Sequence, residues 1–300
     1  MILQCFPFIA IWCLCLSYGQ EAVNEVAEVP TIFTKDIDIL QLSTLFSKNV
    51  SVPIMKTLDN AKSTCFSDPE ESFNHEFTVN EALPIRKSGT TLVTIPRLIA
   101  TIWLSRVAIT LPVGDFVETG VYRGGTSALM IRMLDKYDAC DRHFWGFDSF
   151  EGLPESVAED HIGGLNRGTV GQYTASEKGF IKTLRKHGAY KHPNKVHSVK
   201  GFFNETLRVA PIDKISLLRL DGDVFTSTWD SLTSLYHKVV PGGYIYVDDY
   251  DSFNGCKLAV DKFRSENHIT EHMHLILEGK RPDQRMKRAY EAVWWEKRKD

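Results

Sequence analysis

Asp115-Phe116-Val117-Glu118-Thr119-Gly120-Val121-Tyr122-Arg123-Gly124-Gly125-Thr126-Ser127 decides the fold. An apolar strand runs into a glycine-rich turn and then into an apolar helix that begins near Ala128. That is the strand, tight turn and helix of a nucleotide-binding α/β unit, with the helix N-terminus facing the ligand. The spacing, Glu-x-Gly-x-x-x-Gly-Gly, is not that of a dinucleotide fingerprint. A carboxylate two residues before the first glycine repels a pyrophosphate but suits a cationic ligand, such as S-adenosylmethionine with its ammonium and sulfonium. A turn that merely permits tight strand-helix packing is the plainer alternative.

Outward from this unit, strands and helices alternate. Residues 92–110 carry Leu98, Ile99, Ile102, Trp103, Val107 and Ile109 at helical spacing, stopped by Pro112-Val113-Gly114. A helix over 128–134 leads to a strand over 143–147 that ends at Asp148. One carboxylate there can accept from both ribose hydroxyls, or it can cap the turn Asp148-Ser149-Phe150. Residues 155–176 are a long polar connection of the kind used for lids and substrate loops. A helix over 180–186 and a strand over 195–200, ending at Gly201, come next. Residues 215–220 are nearly continuous apolar and read as a strand buried on both faces. A helix over 229–239, stopped by Pro241-Gly242-Gly243, precedes a strand over 244–247, and 273–277 with 292–295 form a final pair. The pattern predicts an α/β, doubly wound, mostly parallel sheet with ligands at the strands' carboxyl ends.

Two of those ends carry acid clusters, Asp221-Gly222-Asp223 and Asp248-Asp249-Tyr250. Adjacent parallel strands bring them together, and four close carboxylates repel one another unless a cation intervenes. Oxygen-only ligands select a hard ion such as magnesium. The alternative is that the acids cap the next helix or face water. A metal beside a methyl donor makes chemical sense, because coordination stabilises an alkoxide, a carboxylate takes the proton and the oxygen attacks in line.

The chain of 300 residues, 43% hydrophobic and with net charge -3, suits one large domain, over 91–300, and its charge points to no nucleic-acid partner. Residues 20–90 read as a loosely helical N-terminal extension, a lid or a subunit contact, which leaves a homo-oligomer open. Residues 1–19 read as a cleaved signal peptide, with an uncleaved signal-anchor as the second reading. Either address is the secretory pathway, the lumen of the ER or Golgi or the exterior, and no membrane span is expected after cleavage. Two sequons, Asn49-Val50-Ser51 and Asn204-Glu205-Thr206, agree. Cys5, Cys13 and Cys15 leave with the signal, and Cys65, Cys140 and Cys256 admit one disulfide or free thiols. His272 and His274 read as an edge-strand pair rather than metal ligands.

These phrases resemble the macrocin O-methyltransferase (TylF-type) family of class I S-adenosylmethionine- and magnesium-dependent enzymes that methylate sugar hydroxyls on macrolides. The likeness rests on 117–125, on Phe147-Asp148-Ser149-Phe150-Glu151-Gly152-Leu153-Pro154, on 218–223, on Ser227-Thr228, and on Pro241-Gly242-Gly243 leading to Asp248-Asp249-Tyr250. It implies a seven-stranded, Rossmann-like sheet with the last strand antiparallel. Glu118, Gly120 and Gly124 would line the methionine end, Tyr122, Thr126 and Ser127 would also bind the cofactor, Asp148 would hold the ribose, and Ser149 with Gly201-Phe202 would flank the adenine. Asp221, Asp248 and Asp249 would ligate magnesium, and Asp221 would also be the general base. The chain departs from the family at Phe225, where Tyr is usual, and at Asn204, where Asp is usual. That second change creates the sequon, and an unmodified Asn204 reads as a helix N-cap. A secretory address does not suit a macrolide acceptor. The expectation is therefore methyl transfer to a hydroxyl of a sugar or glycan. A lipid or secondary-metabolite acceptor, a secreted non-catalytic binding protein and a nicotinamide-dependent oxidoreductase are the alternatives.

Overall fold

The computed structural model describes residues 75–138, 140–162, 168–277 and 290–298. The signal, the sequon at Asn49, Cys65 and most of the N-terminal extension lie outside the described residues. Helices α1 (His75–Lys87) and α2 (Ile95–Ile109) precede strand β1 (Asp115–Thr119). Then follow α3 (Gly125–Tyr137), β2 (Phe144–Asp148), α4 (Glu177–Lys186), β3 (Val196–Lys200) and the one-turn α5 (Phe203–Thr206). The chain continues through β4 (Ile215–Leu220), α6 (Phe225–Leu235), β5 (Val239–Val247), α7 (Asn254–Glu266), β6 (His274–Leu277) and β7 (Tyr290–Glu296).

The seven strands form one sheet in the order β3-β2-β1-β4-β5-β7-β6, and β7 alone runs in the direction opposite to the other six. The expected topology is therefore present. Because side chains alternate along a strand, each strand feeds two cores. Phe116, Phe144 and Leu217 pack under α1–α4 on one face. Val117, Trp145, Leu218 and Ile245 pack under α6 and α7 on the other. Helix α1, assigned from sequence to the extension, buries Ala82 and Ile85 in the first core.

Boundaries shifted where long-range bonds outvote local signals. Helix α6 begins four residues early, at Phe225, because buried Asp160 accepts its first N–H at 2.8 Å. The residue before that helix is Val224, so neither Asp221 nor Asp223 caps it. Pro241-Gly242-Gly243 does not stop a helix but lies inside β5, where Gly242 N–H donates to the Lys297 carbonyl at 2.8 Å. Asn204 is not an N-cap either. Phe202 holds that position, and Asn204 is exposed on α5.

The turn after β1 shows why glycine is needed there. At Gly120 φ is +91°, and a Cβ would stand 1.8 Å from the Asp221 carbonyl oxygen. This glycine therefore lets the ends of β1 and β4 close on each other, which is the packing role, and it sets the distance between the turn and the acid cluster.

Candidate active site

Register explains the site. Glu118 pairs with Arg219 across β1 and β4, and Arg219 pairs with Tyr246 across β4 and β5. The three side chains thus form a polar row on the face covered by α2, and Asp221 and Asp248, two residues further along, extend it past the strand ends.

Arg219 is fully buried at the centre of that row. Its Nη1 donates to Glu118 Oε1 at 2.9 Å and to Asp221 Oδ2 at 2.6 Å, and its Nη2 donates to Asp248 Oδ1 at 2.6 Å. Tyr246 Oη donates to the same Asp248 oxygen at 2.7 Å. From α2, Arg97 Nη1 reaches Asp248 Oδ2 at 2.5 Å and lies 4.0 Å from Asp249 Oδ1, while its Nη2 pairs with Glu291 at 2.9 Å. Burial pushes the Asp248 carboxyl up, but the two guanidiniums outweigh it and hold the group below its usual range.

One oxygen of each of Asp221, Asp248 and Asp249 lies within 4.8 Å of the others, the only group of three or more potential metal ligands among the described residues. Asp249 Oδ2 is buried and has no hydrogen-bond partner. Burial, and then Asp223, Asp221 and Asp248, push the Asp249 carboxyl well above the carboxylate range. An orphaned oxygen in an all-carboxylate set fits a hard cation. Asp223 sits beside the trio with φ +59°, and burial followed by Asp221 and Asp248 lifts it similarly. The histidine pair contributes nothing here. His274 stacks on Trp294 with centroids 4.1 Å apart.

The turn residues are placed as follows. Both Glu118 oxygens are engaged, one by Arg219 and one by Ser127 Oγ. Thr126 is buried against Thr91, with hydroxyl oxygens 3.2 Å apart. Gly124 is left-handed, φ +87°, and a Cβ there would meet the Phe180 ring at 2.6 Å. Asp148 Oδ2 accepts the Val121 and Tyr122 N–H groups, each at 2.9 Å, and Oδ1 accepts Phe150 N–H at 2.7 Å. Asp148 thus ties the turn together and also caps its own, with one lone-pair site on Oδ1 left for a ligand. Ser149 Oγ is used locally, donating to the Gly152 carbonyl at 2.8 Å and accepting from Glu151 N–H at 3.0 Å. Gly201, at φ +141°, and Phe202 lie at the end of β3 beside Asp148, whose carbonyl accepts the Gly201 N–H at 3.0 Å.

Arg219, Arg97, Tyr246 and Asp160 were missed by sequence reading. The available signal was Arg219 itself, a charge inside an otherwise apolar buried strand, which must meet counter-charges.

Burial pushes Glu118 up from the ordinary 4.5 to about 7, and Arg219 only partly offsets this. The folded protein therefore holds a proton there that the unfolded chain has lost between pH 4.5 and 7. Stability from this group is fully present below pH 4.5 and falls as pH rises to 7, by at most about 1.4 kcal/mol per pH unit. Glu118→Gln should flatten the pH dependence of urea unfolding across that window. An unchanged slope in the variant would place the proton elsewhere.

Residues 89–278 match the family described as macrocin-O-methyltransferase (TylF). The chain belongs to that family. Within this TylF-family chain, 167 residues are 41% identical to demethyldecarbamoylnovobiocin O-methyltransferase of Streptomyces niveus, covering 54% of the chain and 63% of that protein. A further relative, at 34% identity over 163 residues, is 8-demethyl-8-(2,3-dimethoxy-alpha-L-rhamnosyl)-tetracenomycin-C 4'-O-methyltransferase of Streptomyces olivaceus, covering 53% of the chain and 60% of that protein. The chain thus spans less than two thirds of these relatives' own length. The solved structure of the O-methyltransferase NovP superposes with a TM-score of 0.58 at 34% identity, covering 70% of this chain and 82% of that one.

Proposed function

We propose that this protein transfers the methyl group of S-adenosylmethionine to a hydroxyl of a sugar or glycan, with magnesium held by Asp221, Asp248 and Asp249. The observation that carries the reading is the convergence of those three carboxylates, one oxygen orphaned, at strand ends beside the glycine turn. Family membership and the relatives named for O-methylation support it.

Magnesium bound there would supply positive charge that lowers the acceptor hydroxyl's pKa. The chain's own residues do the rest. Once ionised, above about pH 7 in the ligand-free protein, Glu118 offers negative charge to the donor's ammonium, and the remaining lone-pair site on Asp148 Oδ1 can take a ribose hydroxyl. The acceptor oxygen forms its bond to the donor methyl carbon as the carbon–sulfur bond breaks, leaving S-adenosylhomocysteine. The hydroxyl proton passes to a carboxylate. Asp221, the base suggested by family resemblance, shares Oδ2 with Arg219, an ion pair that occupies the oxygen a proton would take. We assign the proton to Asp223, which sits beside the three carboxylates and which no ion pair reaches among the described residues.

A luminal or secreted location fits the same reading. Cys140 is disulfide-bonded, which suits an oxidising compartment, whereas Cys256 is free and buried. Asn204 is exposed in its sequon. No helix among the described residues is long and apolar enough to cross a membrane.

Calorimetric titration of the chain from Gln20 onward with S-adenosylmethionine and S-adenosylhomocysteine, with and without magnesium, tests the proposal. Binding of both, followed by magnesium-dependent methyl transfer to a monosaccharide glycoside, is expected. A folded chain that binds neither would be a secreted protein that has kept the fold without the chemistry.

A further inference from the structure

Two tyrosines, one in the glycine turn and one in the polar connection, are in the left-handed region where bulky residues rarely settle. Tyr122 has φ +48° and Tyr173 φ +64°. Their rings meet edge to face, centroids 6.4 Å apart and planes at 81°. Such φ values cost energy and persist where surrounding contacts over-determine them. The contacts here are explicit. Tyr122 is pinned by its own N–H to Asp148 Oδ2. The Tyr173 segment is pinned by Leu153 N–H to the Gln172 carbonyl at 2.9 Å and by Gly171 N–H to the Leu153 carbonyl at 3.0 Å. The polar connection, read from sequence as a lid or substrate loop, is therefore fastened on the side that carries Tyr173.

Tyr173 is half-buried against the apolar cluster containing Leu220 and Val247, the residues immediately before Asp221 and Asp248. After burial, the charges of Asp223, Asp249 and Asp221 all act on its phenol, which places the ring within electrostatic reach of the three acids. One strained ring thus belongs to the cofactor turn, and the other packs on that ring within electrostatic reach of the carboxylates. An aromatic face next to a cluster of hydroxyl acceptors is a surface for a pyranose: its C–H face lies on the ring while its vicinal hydroxyls reach the acids.

We propose that Tyr173 is the specificity-determining residue for the acceptor, its ring forming the wall against which the sugar lies, held in place by Tyr122. This rests on the methyltransferase reading above and adds to it the residue that reads the acceptor. Gln172 bonds the Tyr173 side chain, and Thr174 Oγ1 bonds the Glu151 and Gly171 carbonyls, so the wall is supported from both neighbours.

The test uses the mature chain with magnesium and S-adenosylhomocysteine, and methyl α-L-rhamnopyranoside as the sugar probe, followed by saturation-transfer NMR and titration. Wild type should bind the probe. Tyr173→Ala should weaken it roughly tenfold, while Tyr173→Phe stays within about twofold, as expected when the ring face carries the contact. Affinity for S-adenosylhomocysteine should hold in both variants, and only Tyr173→Ala should lower the melting temperature, so that unchanged cofactor affinity separates a wall residue from one that merely supports the cofactor turn. With turnover measured, Tyr173→Ala should raise the acceptor KM and leave kcat within about threefold. Wild type that binds S-adenosylhomocysteine but not the sugar, or Tyr173→Ala that binds the sugar as well as wild type does, overturns the proposal and leaves methyl transfer standing. Wild type that binds no S-adenosylhomocysteine overturns the methyltransferase reading instead.

Discussion

Arg219→Met should destabilise the protein by about 3–5 kcal/mol at pH 8, a large part of the roughly 5–15 kcal/mol that holds a domain folded. Arg219 has no exposed surface, and its guanidinium serves Glu118, Asp221 and Asp248 at once. Methionine fills much of the same volume but leaves three buried acids without their shared counter-charge, and Arg97 can answer for only one of them, Asp248. Lysine is no remedy, since a point charge cannot face three partners in the plane of a fork. The loss should depend on pH in a defined sense. Acids stripped of a cation have folded pKa values raised above their unfolded ones, so the folded state takes up protons and its stability falls as pH rises through that interval. Chemical denaturation at pH 5 and pH 8 should therefore show the variant closer to wild type at the lower pH. A variant within about 1 kcal/mol of wild type at pH 8 would mean that the acids are compensated in some other way.

How far this site was visible beforehand depends on the range of the interaction. Local chemistry was legible. The glycine turn after β1, the acids after β4 and β5 and the alternation of strands with helices depend on residues within a few positions of one another. Their elements lie where the patterns put them to within a few residues. What was not legible is the row Glu118-Arg219-Tyr246, because it exists only after three strands have paired in one register. Residues 215–220 read as plain core for the same reason: counting apolar positions treats Arg219 as an interruption, whereas in a strand buried on both faces an arginine implies a buried acid nearby. Arg97 and Asp248 are 151 positions apart, and nothing in α2 announces the pairing. The starts of α6 and β5 moved for a related reason, since Asp160 and Lys297 supply bonds from distant segments. Family resemblance named the residues around the turn, but it did not foresee that Glu118, Asp148 and Ser149 are already bonded within the protein. A bound cofactor must share them with Arg219, Ser127 and the backbone, so the turn is preorganised by the groups that the ligand would use.

The same carboxylates set function against stability, and Asp249 is where the conflict is sharpest. It is buried, one of its oxygens has no partner, and Asp223, Asp221 and Asp248 all repel it. In the absence of a cation and at pH 8, Asp249→Asn should raise stability by about 1–2 kcal/mol, because the amide removes the cost of a carboxyl whose ionisation burial and its neighbours disfavour, while keeping the volume. The variant should also bind magnesium at least about a hundredfold more weakly, since an amide oxygen brings no negative charge to a hard ion. Magnesium at one hundred times its dissociation constant stabilises a folded protein by about 2.7 kcal/mol. The two thermal melts should therefore cross: the variant melts higher without metal, wild type gains on adding magnesium, and the variant does not respond. Methyl transfer should fall with the metal response. A variant that melts below wild type in chelator and still responds to magnesium would show that the orphaned oxygen of Asp249 faces something other than a cation.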